Sequence, residues 1–211
     1  MTVVQSLLAF VLAAGLLVIT PGLDTALVLR TSAIEGPRRA GFAAIGIGIS
    51  CLVWGVAVSV GLGALLAASE VAYTALKWIG AVYLVWLGIG LIRNPRTAFA
   101  RDTTATKAPA HNRASGWLVK GMLTNILNPK VGVFYVTFLP QFVPAGVPVA
   151  GYTFLLASVH VALSVFWFAL LIGASVPLGR ALGRPAVVRA MDRLAGCVFV
   201  GFGAKLALSR Q

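Results

Sequence analysis

The chain is 211 residues long, 59% hydrophobic and only 10% charged, with a mean hydropathy of +0.95. A soluble domain would carry about 25% charged residues, so this composition excludes one and predicts an integral membrane protein. The net charge of +12 does not signal a nucleic-acid partner, because the basic residues fall between apolar segments and no separate basic domain exists to hold a duplex.

A span needs about 20 apolar residues, and six segments meet that length: roughly Val3 to Leu29, Gly41 to Ala68, Val71 to Ile92, Trp117 to Phe142, Val149 to Leu178 and Val187 to Leu208. The expected fold class is an all-α integral membrane protein with six transmembrane helices. No Lys or Arg precedes Arg30. The basic n-region of a secretory signal is thus missing, and the first segment reads as a retained helix.

That first helix should be broken at Thr20-Pro21-Gly22-Leu23-Asp24, where Asp24 is its only charge. Proline removes a backbone donor and clashes with the preceding turn, and glycine adds backbone freedom. Carbonyls and amides freed in hydrocarbon are tolerated only when they are buried in protein or line a wet cavity, which makes the break a candidate binding site. The first connection then holds Arg30, Arg38 and Arg39. Gly41, Gly46, Gly48, Gly55, Gly61 and Gly63 of the second span, with Ala43, Ala44 and Ser50, form a small-residue face that lets helix backbones approach closely. Glu70 is expected at the outer surface.

The third connection carries Arg93, Arg96, Arg101, Lys107, Arg113 and Lys120. Its polar stretch, 93–116, reads as a flexible linker between two three-span halves, 1–92 and 117–211, with His111 solvated. The fifth connection adds Arg180, Arg184, Arg189 and Arg193, while the even connections carry almost no positive charge, Lys77 being the exception. The odd connections together hold thirteen of the seventeen Lys and Arg. Positive-inside bias therefore predicts these connections in the cytoplasm and both termini outside.

The second half repeats features of the first. Asn125-Ile126-Leu127-Asn128-Pro129-Lys130 interrupts the fourth helix as the earlier motif interrupts the first, and Lys77-Trp78-Ile79-Gly80-Ala81-Val82-Tyr83-Leu84 aligns with Arg193-Leu194-Ala195-Gly196-Cys197-Val198-Phe199-Val200. Three-span repeats insert in opposite directions, so the expectation is an inverted repeat with helices 1 and 4 broken. In such folds the paired breaks mark the substrate site.

Amides freed near Pro21-Gly22 and Pro129 would hold a substrate carboxylate together with the Lys130 ammonium. Asp24 would accept a substrate ammonium or carry a proton, and Thr20, Asn125 and Asn128 belong to the same two breaks. A zwitterion such as an amino acid fits that pair of charges. The competing reading is capping: Asp24, Asn128 and Thr20 are good N-cap residues, Pro129 suits a first helical turn, and Lys130 can snorkel to an interface. An ionisable residue inside a span is nonetheless functional by default. His160, midway along the fifth span, is either a proton relay or a satisfied interhelical partner.

Asp24 is the one acidic residue securely within a span, so a second carboxylate for a cationic side chain is not evident, which favours a neutral amino acid. Cys51 and Cys197 lie in apolar segments and read as packing residues, with no disulfide expected. No nucleophile–base set, metal-spaced cluster or phosphate-cradling loop is present, so neither an enzyme nor a cofactor is expected, and an ion gradient is the energy source if one is used.

Four stretches in this order resemble the lysine exporter (LysE) family of bacterial amino-acid efflux proteins, and more closely its homoserine/threonine exporter (RhtB) branch. They are Pro21-Gly22-Leu23-Asp24, the glycine-spaced helix after Arg38-Arg39-Ala40-Gly41, Lys77 to Gly88, and Asn128-Pro129-Lys130 followed by Phe138-Leu139-Pro140-Gln141-Phe142. The likeness spans essentially the whole chain. It implies export of amino acids or close derivatives across the bacterial inner membrane, driven by protons, by a small homo-oligomeric carrier. Leu23 stands where the family's first motif has a second proline, which would soften the break. The rival readings are a passive channel or a metal or other cation exporter on a similar scaffold, and a scaffold that only binds partners.

Overall fold

The computed structural model describes residues 2–68, 70–95, 114–175 and 184–208. The stretch 96–113 with His111, the connection 176–183, and the side chains of Glu70, Lys77 and Lys205 lie outside the described residues. Every regular element among the described residues is helical: α1 (Val3–Ile19), α2 (Leu23–Glu35), α3 (Pro37–Ala68), α4 (Glu70–Arg93), α5 (Ala114–Ile126), α6 (Pro129–Val133), α7 (Val149–Gly173) and α8 (Pro185–Leu208). α6 runs on as a π turn (Phe134–Phe138) and a 3-10 turn (Leu139–Phe142).

Both interruptions are present. Pro21 has no amide to give the Leu17 carbonyl, so α1 stops at Ile19 and α2 departs at 53°. Thr20 closes α1 instead of capping α2, its backbone amide and its hydroxyl both donating to the Leu16 carbonyl at 3.0 and 2.6 Å. The N-cap of α2 is Gly22, so neither Thr20 nor Asp24 takes the capping role offered above. Asn128 does cap, accepting from the Lys130 amide at 3.1 Å with Pro129 in the first turn of α6. The fourth segment is also irregular further on. Pro140 has no donor for the Val136 carbonyl, and just before it the helix widens until the Leu139 amide reaches back to Phe134.

α3 from Pro37 to Gly61 and α7 are each 25 residues long and apolar enough to cross a bilayer, and the bent pair α1–α2 qualifies as a broken span. Large apolar side chains point outward along these helices: Val4, Leu8 and Leu12 on one face of α1, Ile45, Ile49 and Val53 on α3, Phe154 and Phe166 on α7. Faces of this kind mark contact with a membrane interior or with another protein surface.

α3 lies between α5 and α7. A Cβ on Gly46 would sit 2.0 Å from the Leu118 carbonyl oxygen and one on Gly121 2.1 Å from that of Ala43, so α3 and α5 touch backbone to backbone. Gly55 makes room for a side chain instead, a Cβ there falling 2.6 Å from the Ala157 methyl of α7, whereas Gly41 and Gly61 face open space. The small-residue face thus works at selected positions only. α4 and α8 form a second pair, with Gly88 and Gly196 each placing a Cβ 2.6 Å from the other's carbonyl oxygen. The order of contacts makes α3–α7 and α4–α8 antiparallel.

Phe10 of α1 packs edge-on to Phe142 at 5.3 Å and lies 6.3 Å from the Phe134 ring, tying α1 to the irregular stretch. Ser6 donates to the Phe142 carbonyl and accepts from the Tyr152 hydroxyl of α7 at 2.9 Å. Asp192 of α8 is a second acid removed from solvent, 0% exposed, and a polar residue at that depth keeps partners.

Candidate functional site

The two breaks face each other and satisfy each other's polar groups. From the second break, Asn125 donates through Nδ2 to Asp24 Oδ2 at 2.8 Å, and Asn128 Nδ2 lies 3.4 Å from the same oxygen. In return, Lys130 Nζ donates to the carbonyls of Leu17 and Thr20 in the first break at 3.1 and 3.0 Å. Each contact follows from local chemistry. Leu17 lacks a partner because residue 21 is proline, and the extended backbone of Thr20 (ψ 117°) takes its carbonyl out of the helical ladder. Lys130 supplies both with a donor.

Asp24 sits in the first turn of α2, where the positive helix end favours a carboxylate. Its second oxygen, Oδ1, is buried and takes no hydrogen bond from the described residues. Asn125 is fully buried and held on both sides: the Cys51 thiol donates to its Oδ1 at 3.5 Å, which aims Nδ2 at the carboxylate. Cys51 is therefore more than a packing residue, lying beside the Tyr135 hydroxyl as well. Tyr135 in turn bonds His160 Nδ1 of α7 across 3.0 Å, and the Phe134 ring lies tilted 4.9 Å from the same imidazole.

Between the breaks lies a cavity of about 40 Å³, lined by Thr20, Gly22, Asp24, Asn125, Lys130 and His160 among others. That volume holds one or two waters and falls well short of the roughly 300 Å³ at which small-molecule pockets begin. Any larger guest requires the breaks to part.

Of the residues singled out from sequence, Thr20, Gly22, Asp24, Asn125, Asn128, Lys130 and His160 line this one space. Pro21 and Pro129 act through the backbone, by ending α1 and starting α6. Lys130 reaches the interior of the first break rather than snorkelling outward. Its ammonium contacts helix carbonyls, where the sequence had suggested a place for a substrate carboxylate. Cys51, Thr25 and Ser164 of the lining, and Tyr135 behind it, carry no sequence signal, being single small or aromatic residues in apolar runs; only the packing brings them here.

Residues 16–210 match the LysE type translocator family. The chain is 31% identical to an uncharacterized membrane protein of Bacillus subtilis, YrhP, over 97% of this chain and 100% of that one. It is 30% identical to a leucine efflux protein of an Enterobacter species, over 94% and 93% of the two chains, and 27% identical to the leucine efflux protein of Klebsiella pneumoniae, over 97% and 95%. No solved structure matches.

Proposed function

The chain belongs to the LysE family of translocators, and on that premise we propose that it exports amino acids from the cytoplasm through the space between its two helix breaks. The observation that carries this reading is the reciprocal bracing, in which a carboxylate and an ammonium from opposite breaks border one small cavity. A zwitterion answers both charges. Its ammonium would meet the buried Asp24 Oδ1, and its carboxylate would draw Lys130 from the α1 carbonyls toward the amides at the start of α2. A translocator of this kind is not an enzyme, since no bond in the cargo is made or broken.

A neutral side chain is favoured by Asp24 being the one carboxylate among the residues that line the cavity and by the leucine efflux proteins among the relatives. Proton antiport is the proposed drive: Asp24 would release its proton when the substrate ammonium arrives, and His160, bonded to Tyr135 on the cavity wall, would pass protons onward. We take the six segments as two inverted three-helix repeats in a bacterial inner membrane with both termini outside. The antiparallel pairing of α3 with α7 and of α4 with α8, together with matching breaks, supports that arrangement.

Counterflow in proteoliposomes tests the function. Labelled leucine, threonine or homoserine outside should exchange for unlabelled amino acid inside, and an imposed proton gradient should drive net movement. Ion conductance without exchange would make the protein a channel, and cation movement in place of amino acid would make it a cation exporter.

A further inference from the structure

In carriers built on broken helices, the C-terminal ends of half-helices and the carbonyls beside them are where coupling sodium ions bind, because several partial negative charges converge there. α1 ends in such a place. The Leu17 carbonyl has lost its helical donor to Pro21, and the Thr20 carbonyl is turned out by the extended backbone. Both are occupied by Lys130 Nζ, at 3.1 and 3.0 Å. Gly22 leaves the lysine its path: a Cβ there would already touch Nζ at 3.5 Å and Cδ at 3.7 Å.

We infer that Lys130 is a tethered cation standing in the position a sodium ion would otherwise take, so that the carrier cycles without sodium and loses that independence when the ammonium is removed. The inference rests on the transporter reading above for its consequence in transport, but its structural half does not. An ammonium carried on the chain cannot leave with the substrate, so it returns to the end of α1 after every turnover without contributing an ion to the stoichiometry. It also ties the two breaks together, since it comes from the second and is spent on the first.

The test uses the purified full chain. Wild-type amino-acid exchange in proteoliposomes should change by less than about twofold when sodium chloride is replaced by choline chloride, while Lys130→Ala should fall at least about tenfold in choline and recover severalfold in sodium chloride or propylammonium chloride. In detergent and without amino acid, sodium or propylammonium should raise the unfolding temperature of Lys130→Ala and leave the wild type unmoved. A wild-type requirement for sodium overturns the inference, as does a Lys130→Ala protein whose unfolding temperature ignores both cations. If the wild type exchanges no amino acid, the export reading fails alone, and the unfolding measurement still decides the cation site. Should Lys130→Ala not insert, Lys130→Ser carries the same measurements, and Lys130→Arg should keep sodium-independent exchange.

Discussion

Asp24 accepts 2.8 Å and 3.4 Å contacts through one carboxylate oxygen and keeps the other buried beside the cavity. Asp24→Asn preserves the shape and removes the charge, and should reduce exchange by at least about a hundredfold, some 2.7 kcal/mol of lost interaction, with insertion normal. Unchanged exchange in that variant would take Asp24 out of the transport site. Asn125→Leu should act differently, lowering stability by about 1–3 kcal/mol because a buried carboxylate loses its best donor; denaturant or thermal unfolding in detergent reads this directly. The ionisable pair was legible in the sequence because charge in a span is conspicuous. Their partners were not: Lys130 ends on two main-chain carbonyls, which every residue possesses, and Cys51 and Tyr135 become polar participants only through adjacency.

At the level of helices, proline and glycine determine where the chain stops and where it touches. Pro21→Ala returns an amide to the Leu17 carbonyl and would compete with Lys130 for it, so α1 and α2 should straighten toward one helix. Exchange should fall while the unfolding temperature stays level or rises, the two readouts separating lost function from lost fold. Gly121→Ala forces a methyl to within 2.1 Å of the Ala43 carbonyl oxygen and should cost about 1–3 kcal/mol. Gly41→Ala, with open space around it, should be neutral or stabilising by up to about 1 kcal/mol. Both breaks were legible from composition, since Pro-Gly-Leu-Asp and Asn-Pro-Lys are out of place in apolar helices. The π turn at Phe134–Phe138 was not, because Pro140 signals a disturbance without saying whether the helix tightens, widens or ends. Nor could spacing alone tell that Gly46 and Gly55 meet neighbours while Gly41 and Gly61 do not.

Across the whole molecule, α3 packs on α7, α4 on α8, and the segment broken at Pro21 on the one broken at Pro129. The cavity this leaves, about 40 Å³, is smaller than any amino acid, so on the proposed export reading loading would separate the breaks, with a zwitterion replacing the bonds that link them. The sequence set Lys77 to Leu84 beside Arg193 to Val200 and one break beside the other; which faces of these segments touch depended on glycine contacts that no single-chain pattern specifies. Equilibrium binding of leucine, threonine and homoserine to the purified protein in detergent, by calorimetry, tests the shared site most directly. Wild type and Gly41→Ala should bind at least one of them with equal affinity, and Asp24→Asn and Lys130→Gln should each weaken that binding at least about tenfold, some 1.4 kcal/mol. Wild-type affinity in both charge variants would contradict a substrate site between the two breaks.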